Sequence, residues 1–153
     1  MGLDMYLNKK IYIGANYEHN NISGIIDLKR GNEPIKVDFN KVVYIEERVA
    51  YWRKANHIHN WFVKNIQNGN DDREEYYVSF KDLLELFCVC REIVKTKSKK
   101  EKLEKAKELL PTCSGFFFGG TEYDKYYFDY TKYTMRMIAN LDRNADYYYD
   151  SSW

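Results

Sequence analysis

The chain reads as a single α+β domain, a small and mainly antiparallel sheet from the N-terminal third packed against three or four helices. Three observations predict it. Near the start apolar and polar residues alternate, Leu3, Met5 and Leu7 being separated by Asp4 and Tyr6. From residue 51 the apolar spacing changes to three and four, the period of a helix with one apolar stripe. A length of 153 residues, 44% hydrophobic and 31% charged, also suffices for one buried core without staples. The expected domain spans 1–143, with 144–153 as a flexible tail.

The elements follow in order. Ile11 and Ile13 resume the alternation after Lys9 and Lys10, which gives the first strand a place to bend. Residues 14–24, rich in Asn and Gly, read as a loop. IIDLKR and PIKVDF flank Gly31, Asn32 and Glu33, a hairpin whose second arm begins at Pro34. VVYIEERV at 42–49 is a further strand. Tyr51, Ala55, Ile58, Phe62 and Ile66 then form one stripe, predicting an amphipathic helix over 51–66 that stops before NGNDD at 68–72.

After YYV, Ser79 and Asp82 have the spacing of an N-cap and its partner. FKDLLELFCVCREIV, apolar nearly all round, predicts the most buried helix. Leu103, Ala106 and Leu110 line one side of a lysine-rich helix that Pro111 stops. TCSGFFFGGTEYD is a glycine-punctuated strand or loop. A last helix over about 125–143 turns Tyr126, Tyr130, Tyr133, Met137 and Leu141 inward, and NADYYYDSSW has no period.

Composition excludes several classes. A net charge of +1 supplies no global field toward nucleic acid and does not suit an acidic DNA mimic. Three cysteines, an odd number, and a start without a signal-type apolar stretch fit reduced thiols in a cytosol. No uncharged apolar run reaches spanning length, so no membrane association is expected. Tyrosine is the outlier: fifteen of them, with an apolar ring and a polar tip each, can build a core and leave contact surface over.

No nucleotide-binding glycine loop, serine-hydrolase elbow or zinc-protease motif is present, and no cofactor or metal is implied. His57 and His59 would share a metal on a strand but diverge on a helix. Cys88 and Cys90 within an apolar helix read as small core residues. Cys113, in a glycine-rich loop, has no base named beside it. Two stretches invite binding. Arg53, His57, Asn60 and Lys64, with Trp61 flanking, fall on one helix face that suits a phosphate, a base or an acidic protein patch, or is simply a solvated face. Phe116, Phe117 and Phe118, followed by Glu122 and Tyr123, form either an aromatic contact loop or a core strand leading into a helix cap. Carboxylates that would serve a small hydrolase are Asp4, Glu46, Glu47 and Glu122. Seven lysines between 95 and 107 read as a solvated helix, with a phosphate-contacting patch as the alternative.

GLDMYL, YWRKANHIHNWFV and LLPTCSGFFFGGTEYDKYY together resemble a family of small uncharacterised phage and prophage proteins. The resemblance covers about a third of the chain and leaves out YYYDSSW. It implies an accessory protein that binds a host protein or nucleoprotein in the bacterial cytosol, without catalysis, its inhibitory form being an anti-defence or anti-CRISPR protein. A nucleotide or other small phosphate ligand, or nucleic acid, is the alternative partner.

Overall fold

A computed structural model describes residues 2–13 and 24–153. Most of the loop expected at 14–24 therefore lies outside the described residues. The architecture is α+β, as the alternating and helical periods predict. Strands β1 (Asp4–Tyr12), β4 (Tyr44–Arg53), β5 (Tyr76–Val78) and β6 (Asp146–Ser152) form an antiparallel sheet in the order β4-β1-β6-β5. A separate, exposed hairpin pairs β2 (Leu28–Arg30) with β3 (Glu33–Ile35), as the composition around Gly31 predicts.

One sheet face is apolar because side chains alternate and directly paired residues share a face. Met5 pairs with Trp52, Leu7 with Ala50 and Tyr149, and Val78 with Tyr147, and all seven are buried. The bend expected at Lys9 and Lys10 is not there, since both stay in register with Glu47 and Glu46; a bulge lies instead in β4, where Leu7 faces Ala50 and Asn8 faces Arg48, so Val49 is the extra residue. The opposite face carries Tyr6 stacked on Tyr51, with the Arg48 guanidinium over the Tyr6 ring.

Helices α1 (Asn56–Asn65), α2 (Phe80–Lys95), α3 (Lys99–Leu109) and α4 (Lys125–Ala139) join the apolar face in one core. α2 begins where predicted: the Ser79 hydroxyl accepts from the Asp82 N–H, and the Asp82 carboxylate accepts from the Ser79 N–H. The Ser98 and Asp124 side chains cap α3 and α4 by accepting the Glu101 and Tyr127 N–H groups, without the reciprocal bond. No helix among the described residues is long and apolar enough to cross a membrane.

Five more expectations need correction. The segment 144–153 is no flexible tail, since β6 lies between β1 and β5 with Tyr147 and Tyr149 fully buried. The sheet accordingly draws two of its four strands from beyond the N-terminal third. Tyr51 is not helical: pairing with Tyr6 continues β4 to Arg53, and Lys54, at φ 55°, turns the chain into α1. The most buried helix is α1, with six of ten residues buried, whereas α2 exposes Leu84 and Cys88. Finally, α4 ends at Ala139 and is rotated by one residue. Tyr127, Thr131, Thr134 and Ile138 face inward, while Tyr126 and Tyr133 are exposed. The two threonines tolerate burial because their hydroxyls donate to the carbonyls of Tyr127 and Tyr130 one turn back.

Candidate functional site

Segments 2–7, 51–63 and 109–127 meet at one end of the molecule. The Lys54 N–H donates to the Leu3 carbonyl (2.7 Å) and the Leu3 N–H to the Phe117 carbonyl (3.2 Å), so the start of β1 bridges the end of β4 and the phenylalanine loop. Asn56, the first residue of α1, is the anchor of that loop. Its Nδ2 donates to the carbonyls of Phe118 (3.2 Å) and Gly120 (2.7 Å), and its Oδ1 accepts the Cys113 N–H (3.2 Å). The Cys113 thiol donates to the Asn56 carbonyl at 3.3 Å. Every polar group of this buried side chain thus works on residues 113–120.

The loop so held carries backbone strain. Phe117 sits at φ 67°, where a bulky side chain is disfavoured, and Gly119 at φ 87°. A side chain at Gly119 would come within 3.0 Å of the Lys54 Cβ, so glycine is needed there twice over, for its torsion and for the close approach. The result is a split among the three phenylalanines. Phe118 is buried and packs edge-on against the His59 ring, whereas Phe116 is 78% exposed and Phe117 39%. The Arg53 and Lys54 side chains both lie against Gly2, the residue before the Leu3 whose N–H donates to the Phe117 carbonyl, and Lys54 also abuts Gly119.

His57 and His59 diverge, as a helical setting requires. His59 is buried between Asp71 and Tyr149. The Asp71 carboxylate accepts from Nε2–H at 3.0 Å, which leaves Nδ1 to accept the Tyr149 hydroxyl at 2.7 Å. This chain ties α1, the following loop and β6 together, and the Trp153 indole N–H adds a second donor to Asp71. His57 faces α4 instead. Its ring lies 4.1 Å from that of Tyr127, and since the Thr131 hydroxyl is spent on the Tyr127 carbonyl, His57 Nε2–H donates to Thr131 Oγ at 3.3 Å.

The proposed basic face of α1 therefore does not exist as a surface. His57 is 2% exposed and Trp61 8%; Asn60 is spent on the Pro111 carbonyl at 2.9 Å; Arg53 lies on β4; of the five residues, Lys64 alone faces water from α1. The reason is that α1 is enclosed by the sheet on one side and by α4 and the 111–124 loop on the other. What the structure does assemble around His57 is two small cavities. One, of about 100 Å³, is lined by Lys54, Asn56, Thr112, Glu122, Asp124 and Tyr126. The other, of about 190 Å³, brings His57, Asn60, Trp61 and Lys64 together with Glu108 and Leu110. Tyr123, half-buried, accepts the Thr112 N–H at its hydroxyl, 3.3 Å away. Sequence reasoning missed Asn56, Lys54 and Tyr126; the one signal for Asn56 was a short amide side chain at a helix start.

Electrostatics separate the interior groups from chemistry. Burial lowers the His57 pKa to about 3, so the ring stays neutral. Burial also lowers that of His59, against an opposing pull from Asp71. The Cys113 thiol is pushed up to about 11 by burial and by Asp71, away from the thiolate a nucleophile needs. Cys90 is buried and its thiol raised further, while Cys88 is exposed, contrary to the core role expected for it. Glu122 and Asp124 place negative charge in the 100 Å³ cavity, and Asp124 accepts the Tyr127 N–H as the α4 cap. An anionic phosphate there would meet both carboxylates. The carboxylates weighed for a hydrolase are dispersed: Asp4 pairs with Arg53 at one end of β1, and Glu46 with Lys10 at the other. Among the described residues no three His, Cys, Asp or Glu side chains group as a metal site. Comparison with known proteins finds no matching family model, no matching curated protein and no matching solved structure.

The lowered His57 pKa fixes the sign of one pH effect. A group whose folded pKa lies below its unfolded value of about 6.5 stabilises the fold fully above that value and loses the contribution as pH falls toward the folded pKa. Between pH 6.5 and 3 the loss from His57 is on the order of 4 kcal/mol. Urea titrations across this window should show it, and His57→Gln, neutral throughout, should flatten the dependence while costing stability at pH 7. An unchanged acid slope in the variant would remove His57 as its source.

Proposed function

We propose that this chain is a small phage or prophage accessory protein that binds a host macromolecule in the bacterial cytosol and acts by occupying it, without catalysis. The observation that carries the reading is the Asn56-anchored loop, which leaves Phe116 and Phe117 exposed at the end of the molecule where the Arg53 and Lys54 side chains lie against Gly2. Strain and buried hydrogen bonds are spent to keep an aromatic pair outside the core. Aromatic residues next to arginine are the composition of binding hot spots, and a preorganised loop loses little entropy on docking. The family resemblance supports the same reading, because its three segments are the ones that converge on this loop. The buried, neutral histidines and the protonated Cys113 argue for a structural interior.

The test is capture from a bacterial lysate on immobilised protein, followed by reconstitution with the purified partner. Phe116→Ala combined with Arg53→Glu, both at exposed positions, should leave the fold intact and weaken the reconstituted complex at least tenfold. Equal affinity in the double variant would refute this surface. A thermal shift with nucleotides and no protein partner would favour the small-ligand alternative instead.

A further inference from the structure

The charge of the molecule is strongly segregated. Residues 91–107 hold eight Lys and Arg side chains against Glu92, Glu101 and Glu104, a surplus of five in a chain whose net charge is +1. These residues run from the last turns of α2 through the linker into α3, and Arg91, Lys95, Lys97, Lys99 and Lys100 are all exposed. Among the described residues only Lys105 of the eight stands within ion-pair distance of a carboxylate, bridging Glu92 (3.2 Å) and Glu101 (3.3 Å). The two helices leave an open groove of about 440 Å³ between them, lined by Cys88, Arg91, Glu92, Lys95, Thr96 and Lys105.

We infer that this edge binds the phosphodiester backbone of a nucleic acid, independently of sequence and separately from the phenylalanine loop. Uncompensated cations spread along an edge attract a polyanion through counterion release and need no apolar centre. The alternative occupant, an acidic protein, would need such a centre, and the edge offers little: α3 spans about 16 Å and its one substantially exposed apolar side chain is Leu103. Lysines on flexible stems suit phosphates as point charges and read no base. A host nucleoprotein could then be engaged at two places, the protein by the aromatic loop and its nucleic acid by this edge.

Fluorescence anisotropy of the full chain with a labelled duplex of about 20 base pairs, at about 50 and 200 mM salt, tests the assignment. Neutralising about four phosphates predicts an affinity that falls on the order of 10²-fold between the two salts. Lys97→Glu, Lys99→Glu and Lys100→Glu together should abolish binding at low salt; two of them sit at the α3 N-terminus, where acidic residues favour the helix, so circular dichroism should report an intact fold. Phe116→Ala should bind the duplex as the unaltered chain does. Absence of salt-dependent binding, equal binding by the triple variant, loss on Phe116→Ala, or preferential competition by polyglutamate would each overturn the inference, the last assigning an acidic protein.

Discussion

Removing residues 144–153 should abolish cooperative folding. The deletion strips β1 of one of its two partners, from Asp4 to Lys10, and leaves β5, three residues long, with nothing to pair to. It also empties the core of Tyr147 and Tyr149, both fully buried, the latter stacked on Phe62 at 3.9 Å. Loss of a buried aromatic side chain costs about 3–5 kcal/mol, and two such losses are comparable with the whole stability of a domain, about 5–15 kcal/mol. Near-ultraviolet circular dichroism and thermal melting should show no tertiary signal and no sharp transition. A truncated chain that melts cooperatively within a few degrees of the full one would refute the placement of β6.

Asn56→Ala should have the next largest effect. The truncation leaves the Phe118 and Gly120 carbonyls and the Cys113 N–H without their buried partner, and strain at Phe117 then has nothing opposing its release. Unsatisfied buried groups cost about 1–3 kcal/mol each, and partial rehydration of the loop brings the sum to about 3 kcal/mol. For a chain of this size that lowers Tm by about 6–12 °C. Asn56→Asp should fare no better, since a carboxylate cannot donate to the two carbonyls. Either variant should also weaken partner binding, because the phenylalanine pair loses its support. Wild-type melting in Asn56→Ala would mean that the loop is held by something else.

How much of this was legible in the residues depends on whether a pattern was local. The first strand, the Ser79–Asp82 cap and the lysine-rich α3 were readable because alternation, capping and helical period are short-range signals. β6 was not, since in DYYYDSS the inward Tyr147 and Tyr149 and the outward Tyr148 are the same residue, and tyrosine satisfies both faces of a strand. The helical stripe from Tyr51 failed for a tertiary reason. Tyr51 belongs to β4 through pairing with β1, forty-five residues earlier in the chain at Tyr6, which no local period reveals. Of the four tyrosines of α4 only Tyr127 is buried, and two threonines join it because their hydroxyls are satisfied by the helix itself and by His57 and Trp52.

The candidate site was legible in its parts and not in its assembly. Phe116 and Phe117, singled out from the sequence, are exposed in the fold, while Arg53 lies on a strand against Gly2 and not on the helix expected for it. His57, Asn60 and Trp61 were misplaced because an amphipathic stripe identifies the greasy side of a helix without saying whether the other side is covered too. Here the 111–124 loop and α4 cover it.

Phe116 and Phe117 are held outward by a rigid, hydrogen-bonded loop. Amide hydrogen exchange on the free protein measures this directly. The N–H groups of Leu3, Cys113 and Phe118, bonded to Phe117, Asn56 and Gly115, should exchange at least on the order of 10²-fold more slowly than the same residues in an unfolded chain. Exchange of all three at the unfolded rate would show a loose loop and contradict the account.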